Sequence, residues 1–138
     1  MIDNTVLLWF AKADNDLKTA KDEIVTDNPA TDTVCFHCQQ CVEKYLKGFL
    51  VSKNEEIAKT HNLSVILKSC IAIDISFEGL REKEIDALTP YATTYRYPDD
   101  FYTPTIDEAN DAISKAILVR IFVRDKTGEA HSAVKNNL

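Results

Sequence analysis

Proline occupies only four positions of this chain, 29, 90, 98 and 104, and glycine only three, 48, 79 and 128. A β-sandwich needs many more turn residues than that, whereas helices need few and place them at their ends. The scarcity of breakers favours an all-α chain, and their positions divide it. Residues 5–26 read as a first helix, in which Trp9, Ala13, Leu17, Ala20 and Ile24 keep the three- and four-residue spacing of a buried stripe. Asp14, Asp16, Lys18, Lys21 and Asp22 are expected on its outer face, and Asn28-Pro29 ends it.

A second helix spans residues 31–52, with Thr31 or Asp32 as N-cap. A third opens after Lys59-Thr60-His61-Asn62, capped by Thr60 or Asn62, and carries Leu63, Ile66, Leu67, Cys70 and Ile71. A fourth is expected over residues 77–95 with a kink or break at Pro90, which lacks the amide proton an α-helix needs. The loop 96–104 follows. A fifth helix starts at the capping box Thr105-Ile106-Asp107-Glu108 and runs to about Lys126, where Gly128 stops it. The expectation is one up-and-down bundle of about five helices over residues 1–127, with a polar tail over 128–138.

The 138 residues suit one domain with its own core, and 45% hydrophobic with 28% charged residues describes a globular chain. A formal charge of −6 argues against a broad basic field for nucleic acid. No segment reaches the roughly 20 apolar residues of a membrane span. The start, MIDNTVLLWFAKADND, lacks the basic residues of a signal peptide, so the four cysteines point to a reducing, cytoplasmic setting. Ile117-Leu118-Val119-Arg120-Ile121-Phe122-Val123 is apolar almost all round. It is expected to lie centrally in the core or to be shared with a second chain.

On a wheel of about 100° per residue, Cys35, Cys38, Val42, Leu46 and Phe49 share one arc of the second helix, with Cys41 and Tyr45 at its edge. His37, Gln40, Lys44 and Lys47 fall opposite. An imidazole, an amide and two ammonium groups facing one way suit an anion or phosphate, although a solvated face with two lysines reads the same. The spacing Cys35-x-x-Cys38-x-x-Cys41 has the look of an iron–sulfur run. On a helix, however, it drifts about 60° per step, so the sulfurs do not converge. The expectation is packed thiols, no metal and no cofactor.

The string from Cys35 to Leu50, CFHCQQCVEKYLKGFL, resembles the signature helix of HEPN domains, F-x-x-Q-Q-x-x-E-K-x-L-K-A-x-L. Three further pieces fall in that family's order: the aromatic-to-acid start from Trp9 to Asp16-Leu17, Lys59-Thr60-His61-Asn62-Leu63, and Tyr95-Arg96-Tyr97-Pro98. The resemblance covers about residues 5–125 and implies a helical bundle that forms homodimers. It also implies a nucleotide- or phosphate-binding module working beside a minimal nucleotidyltransferase, in the manner of a toxin–antitoxin pair. On that reading His37, Gln40, Lys44 and Lys47 line one wall, with His61 and with Arg96 and Tyr97 from the loop. Many members are metal-independent ribonucleases that use an Arg, a polar residue and then a His. Here Arg96 is followed by Tyr97, Pro98, Asp99, Asp100, Phe101 and Tyr102, with no His. No residue is therefore assigned a catalytic role, a ribonuclease with a degenerate motif is the alternative, and a protein-binding adaptor is a third. Arg124 and His131 also satisfy the loose pattern, but across Gly128, where rigid placement is not expected.

Overall fold

The computed structural model describes residues 2–128. Five α-helices follow in order: α1 (Asn4–Ile24), α2 (Thr31–Ser52), α3 (Leu63–Ile73), α4 (Glu78–Glu82) and α5 (Ile106–Thr127). The described residues contain no strand, and none of their helices is long and apolar enough to cross a membrane. The fold is the all-α bundle that the breakers indicated. α2 is its axis, packed on α1, α3 and α5.

The arc of α2 anticipated from the wheel is the core: Cys35, Cys38, Val42, Leu46 and Phe49 are buried, and so are the edge residues Cys41 and Tyr45. The stripe of α1 is rotated from the expected one. Val6, Phe10, Ala13, Leu17 and Ala20 are buried, whereas Trp9 and Ile24 are only half-buried. The contact that sets this rotation is a close approach of α1 to α2. A Cβ on Gly48 would lie 2.7 Å from a ring carbon of Phe10 and 3.1 Å from the Trp9 Cβ. Ring contacts Phe49–Phe77 and Phe77–Phe122, at 4.4 and 4.8 Å between centroids, join α2, the chain before α4 and α5.

The fourth helix is shorter than expected. Its α-helical part is only Glu78–Glu82, and Glu84 then takes a left-handed conformation with φ 60°. Tight 3₁₀ turns follow at Ile85–Tyr91, Thr94–Arg96 and Pro98–Asp100. Residues three apart eclipse in a 3₁₀ turn, so Ile85, Leu88 and Tyr91 line up toward the core around Pro90 without the α-helical bond that Pro90 could not make.

The caps are mostly those read from the chain. Asn62 accepts from the amides of Ser64 and Val65, Thr105 and Glu108 form the capping box, and Gly128 ends α5 at φ 85°. At α2 the expectation fails. Ala30 is the N-cap and makes no side-chain bond. The buried Thr31 hydroxyl instead donates to the Pro104 carbonyl at 2.7 Å, tying the start of α2 to the loop before α5. In α5, Val119 and Val123 are buried, but Leu118 and Ile121 stay 36% and 42% exposed.

Candidate functional site

The polar side of α2 is knitted around two carboxylates. His37 Nδ1 lies 2.8 Å from Asp16 Oδ1, and Lys44 Nζ donates to Asp16 Oδ2 at 2.5 Å. Glu43, the neighbour of Lys44 in the chain, gathers Lys47 Nζ at 2.9 Å, His61 Nδ1 at 2.9 Å and the Gln39 amide at 3.1 Å. Gln39 also donates to the His61 carbonyl at 3.1 Å and accepts from the Gln40 amide at 2.7 Å. Burial opposes ionisation of Glu43, but the bonds from Lys47, His61 and Gln39 outweigh it and hold this carboxyl below the ordinary glutamate value.

His37 and Lys44 are thus gathered on Asp16, and Gln40, Lys47 and His61 in the cluster of Gln39 and Glu43, and neither cluster is an open cationic patch. Lys47 is buried, His37 and Lys44 are about one quarter exposed, and each has a carboxylate partner. Asp16, expected on the outer face, is buried between α1 and α2. The wheel set the cations opposite the cysteine arc, but Lys47 is buried against Glu43 of α2 itself, and the wheel could not show that α1 presents Asp16 to His37 and Lys44.

A second network went unnoticed in the sequence. Asp14, also expected on the outer face, accepts from Arg120 Nε at 3.0 Å, from an Arg124 Nη at 2.7 Å and from the Tyr45 hydroxyl, which in turn accepts from Arg124 Nε at 3.0 Å. It pins α1, α2 and α5 together. Arg124, one half of the loose Arg–His pattern, is held in this clamp, and His131 lies outside the described residues. The thiols of Cys35, Cys38, Cys41 and Cys70 are free and buried. Burial pushes those of Cys35 and Cys70 up to about 12 and raises the other two as well. Such thiols behave as small hydrophobes. No group of three or more His, Cys, Asp or Glu side chains is placed for a metal among the described residues.

Arg96 stands apart from these clamps. Its guanidinium carbon lies 4.0 Å over the Phe36 ring, which makes a T-shaped contact with the His37 ring at 5.3 Å between centroids. Among the described residues it has no carboxylate partner, although Asp99 and Asp100 follow it closely in the chain. Arg96 opens onto a cavity of about 290 Å³ lined by Asp32, Tyr91, Tyr95, Phe101 and Tyr102. The tyrosine rings form a connected wall, Tyr91 to Tyr95 at 5.6 Å and Tyr95 to Tyr102 at 5.0 Å. Tyr97, the neighbour singled out in the sequence, points outward and is 64% exposed. Asp32 and the four other aromatics were missed. Their signal was available: five aromatic residues crowd positions 91–102 of a chain that is 9% aromatic overall.

The family model described as the HEPN domain matches residues 6–126. The chain belongs to the HEPN domain family. No curated protein and no solved structure matches it. In this HEPN domain the Gln39, Glu43 and Lys47 positions of the signature helix join α2 to the His61 turn that starts α3. The signature is legible here first as a helix-to-helix clamp.

Proposed function

We propose that this HEPN domain is a non-catalytic binding module that takes a single nucleotide in the cleft beside Arg96. The observation that carries the reading is a guanidinium held on a ring face, without a carboxylate partner among the described residues, at the mouth of a cavity walled by tyrosines. Aromatic faces stack on any base, and an arginine fork suits phosphate. About 290 Å³ lies at the small end of ligand pockets, which favours one nucleotide over a strand. His37, Gln40, Lys44, Lys47 and His61 then serve as the scaffold behind the cleft, with His37 steadying Phe36 edge-on.

In this reading the domain works as a homodimer, with Leu118 and Ile121 of α5 in the interface, beside a minimal nucleotidyltransferase. Calorimetry with AMP, GMP, CMP and UMP, with the matching nucleosides, tests the cleft. Arg96→Ala should weaken nucleotide binding by about tenfold or more, as expected for a charged hydrogen bond, and leave the nucleoside unaffected. Tyr95→Ala should weaken both. No binding of any of the four at millimolar concentration, or no response to Arg96→Ala, rejects the reading.

One observation favours a second reading, a metal-independent ribonuclease. His61 has its Nδ1 on Glu43 while its side chain is 58% exposed, the arrangement of a carboxylate-oriented base. Cleavage of RNA in the presence of chelator, lost in His61→Ala, would favour it over the binding module.

A further inference from the structure

We infer that the aromatic ridge beside the cleft docks a basic, arginine-bearing segment of a partner protein. Four large apolar side chains of this one segment are left in water. Tyr97, Phe101, Tyr102 and Ile106 are 64%, 69%, 40% and 48% exposed, although they lie within ten residues of one another. Large side chains left in water this close together mark an interaction surface more often than chance exposure.

The ridge is also held in place. The Thr31 hydroxyl bonds the Pro104 carbonyl, the Tyr102 hydroxyl donates to Glu108 at 2.6 Å, and Glu108 accepts from the Thr105 amide at 2.9 Å. Pro98 and Pro104 restrict the backbone between these ties. A surface held this way loses little freedom when a partner lands.

Charge selects the occupant. Asp32, Asp99, Asp100 and Asp107 are all exposed around the ridge, and among the described residues none of them pairs with Lys or Arg. Residues 97–114 contain no Lys, Arg or His; Arg96 precedes this stretch, and Lys115, which lines a groove with Asp107, is paired with Asp111. Such a rim repels a nucleic-acid backbone or an anionic membrane and attracts a cationic segment. Between the two basic side chains, exposed ring faces prefer the planar guanidinium of arginine. Phe101 and Tyr102 belong to both the ridge and the cleft wall, so a segment seated on the ridge borders the cleft mouth. The inference does not depend on the nucleotide reading, whose calorimetric test is separate.

The test is fluorescence anisotropy of the whole chain with a labelled hexa-arginine peptide, with hexalysine and hexaglutamate peptides for comparison. Hexa-arginine should bind more tightly than hexalysine, and hexaglutamate should not bind. Tyr97→Ala and Phe101→Ala, which leave the charge unchanged, should each weaken hexa-arginine binding about 2- to 5-fold. The triple substitution Asp99→Asn, Asp100→Asn, Asp107→Asn should weaken it about tenfold or more. The paired substitution Glu55→Gln, Glu56→Gln, on an exposed loop elsewhere, should have no effect. All these positions are exposed, and circular dichroism confirms that the helices persist. Equal binding of the two basic peptides overturns the inference, and so does indifference to both aromatic substitutions. An equal loss in the Glu55/Glu56 variant does the same, since it reduces the effect to the general acidity of the chain.

Discussion

Glu43 is a buried carboxylate whose removal strands several partners at once. Its carboxylate holds Lys47, His61 and Gln39, and it is only 5% exposed. Glu43→Ala leaves the Lys47 ammonium without its partner, although that side chain is 10% exposed. It also removes one of the two acceptors of the buried Gln39 amide. Breaking a buried ion pair from one side typically costs about 3–5 kcal/mol. The low end applies here, about 3 kcal/mol, because Gln39 keeps the His61 carbonyl and a long lysine can swing toward water. A domain of this kind has about 5–15 kcal/mol in all, so the variant should fold but melt early. Urea unfolding at pH 7 followed by far-ultraviolet circular dichroism measures the loss, with the slope checked for a constant denatured state. Replacing both partners, Glu43→Leu with Lys47→Met, should recover stability to within about 1 kcal/mol of the original, because no charge is then stranded. His61→Ala, which removes an exposed partner, should cost under about 1 kcal/mol. A loss below about 1 kcal/mol in Glu43→Ala would refute the argument, for it would place the pair among exposed salt bridges.

The Glu43 carboxyl titrates lower folded than unfolded. Its contribution is therefore complete above the ordinary glutamate value of about 4.3 and lost as pH falls through the folded value. The difference in urea midpoint between the natural chain and Glu43→Gln should be full at pH 6 and shrink below about pH 4; a constant difference to pH 3 would contradict the linkage. Gly48→Ala gains about 1 kcal/mol of helix propensity but forces a methyl against the buried Phe10 ring, so a net loss of about 1–2 kcal/mol is expected in thermal unfolding. Leu118→Asp with Ile121→Asp, at exposed α5 positions, should leave helicity intact and shift a dimer to monomer in light scattering. RNA incubated with the protein and chelator should stay intact, since the loop after Arg96 supplies no His and the loss of an acid–base group costs about 10² to 10⁴ in rate.

Helix positions and ends were legible because their causes are local. The apolar arc of α2 from Cys35 to Phe49 repeats within one helix, and Asn62, Thr105 with Glu108, and Gly128 act on amides or carbonyls a few residues away. The same locality limited the rest. In α1, Asp14 and Asp16 look like solvated residues on a wheel, yet one meets Arg120, Arg124 and Tyr45 and the other meets His37 and Lys44, because α1 lies against two helices at once. Lys47 reads as exposed for the same reason and is buried against Glu43. The segment 77–95 has helical spacing, but the core contacts of Leu80, Ile85 and Leu88 are met by a short helix and 3₁₀ turns. By itself the sequence determined an all-α chain, its main helices and the apolar arc of α2 that forms the core. Only the tertiary structure decided that Arg96 escapes pairing, and that Asp32 joins Tyr91, Tyr95, Phe101 and Tyr102 around one cleft. Capping and periodicity act over a few residues of chain, whereas ion pairs and cavities depend on distances between helices.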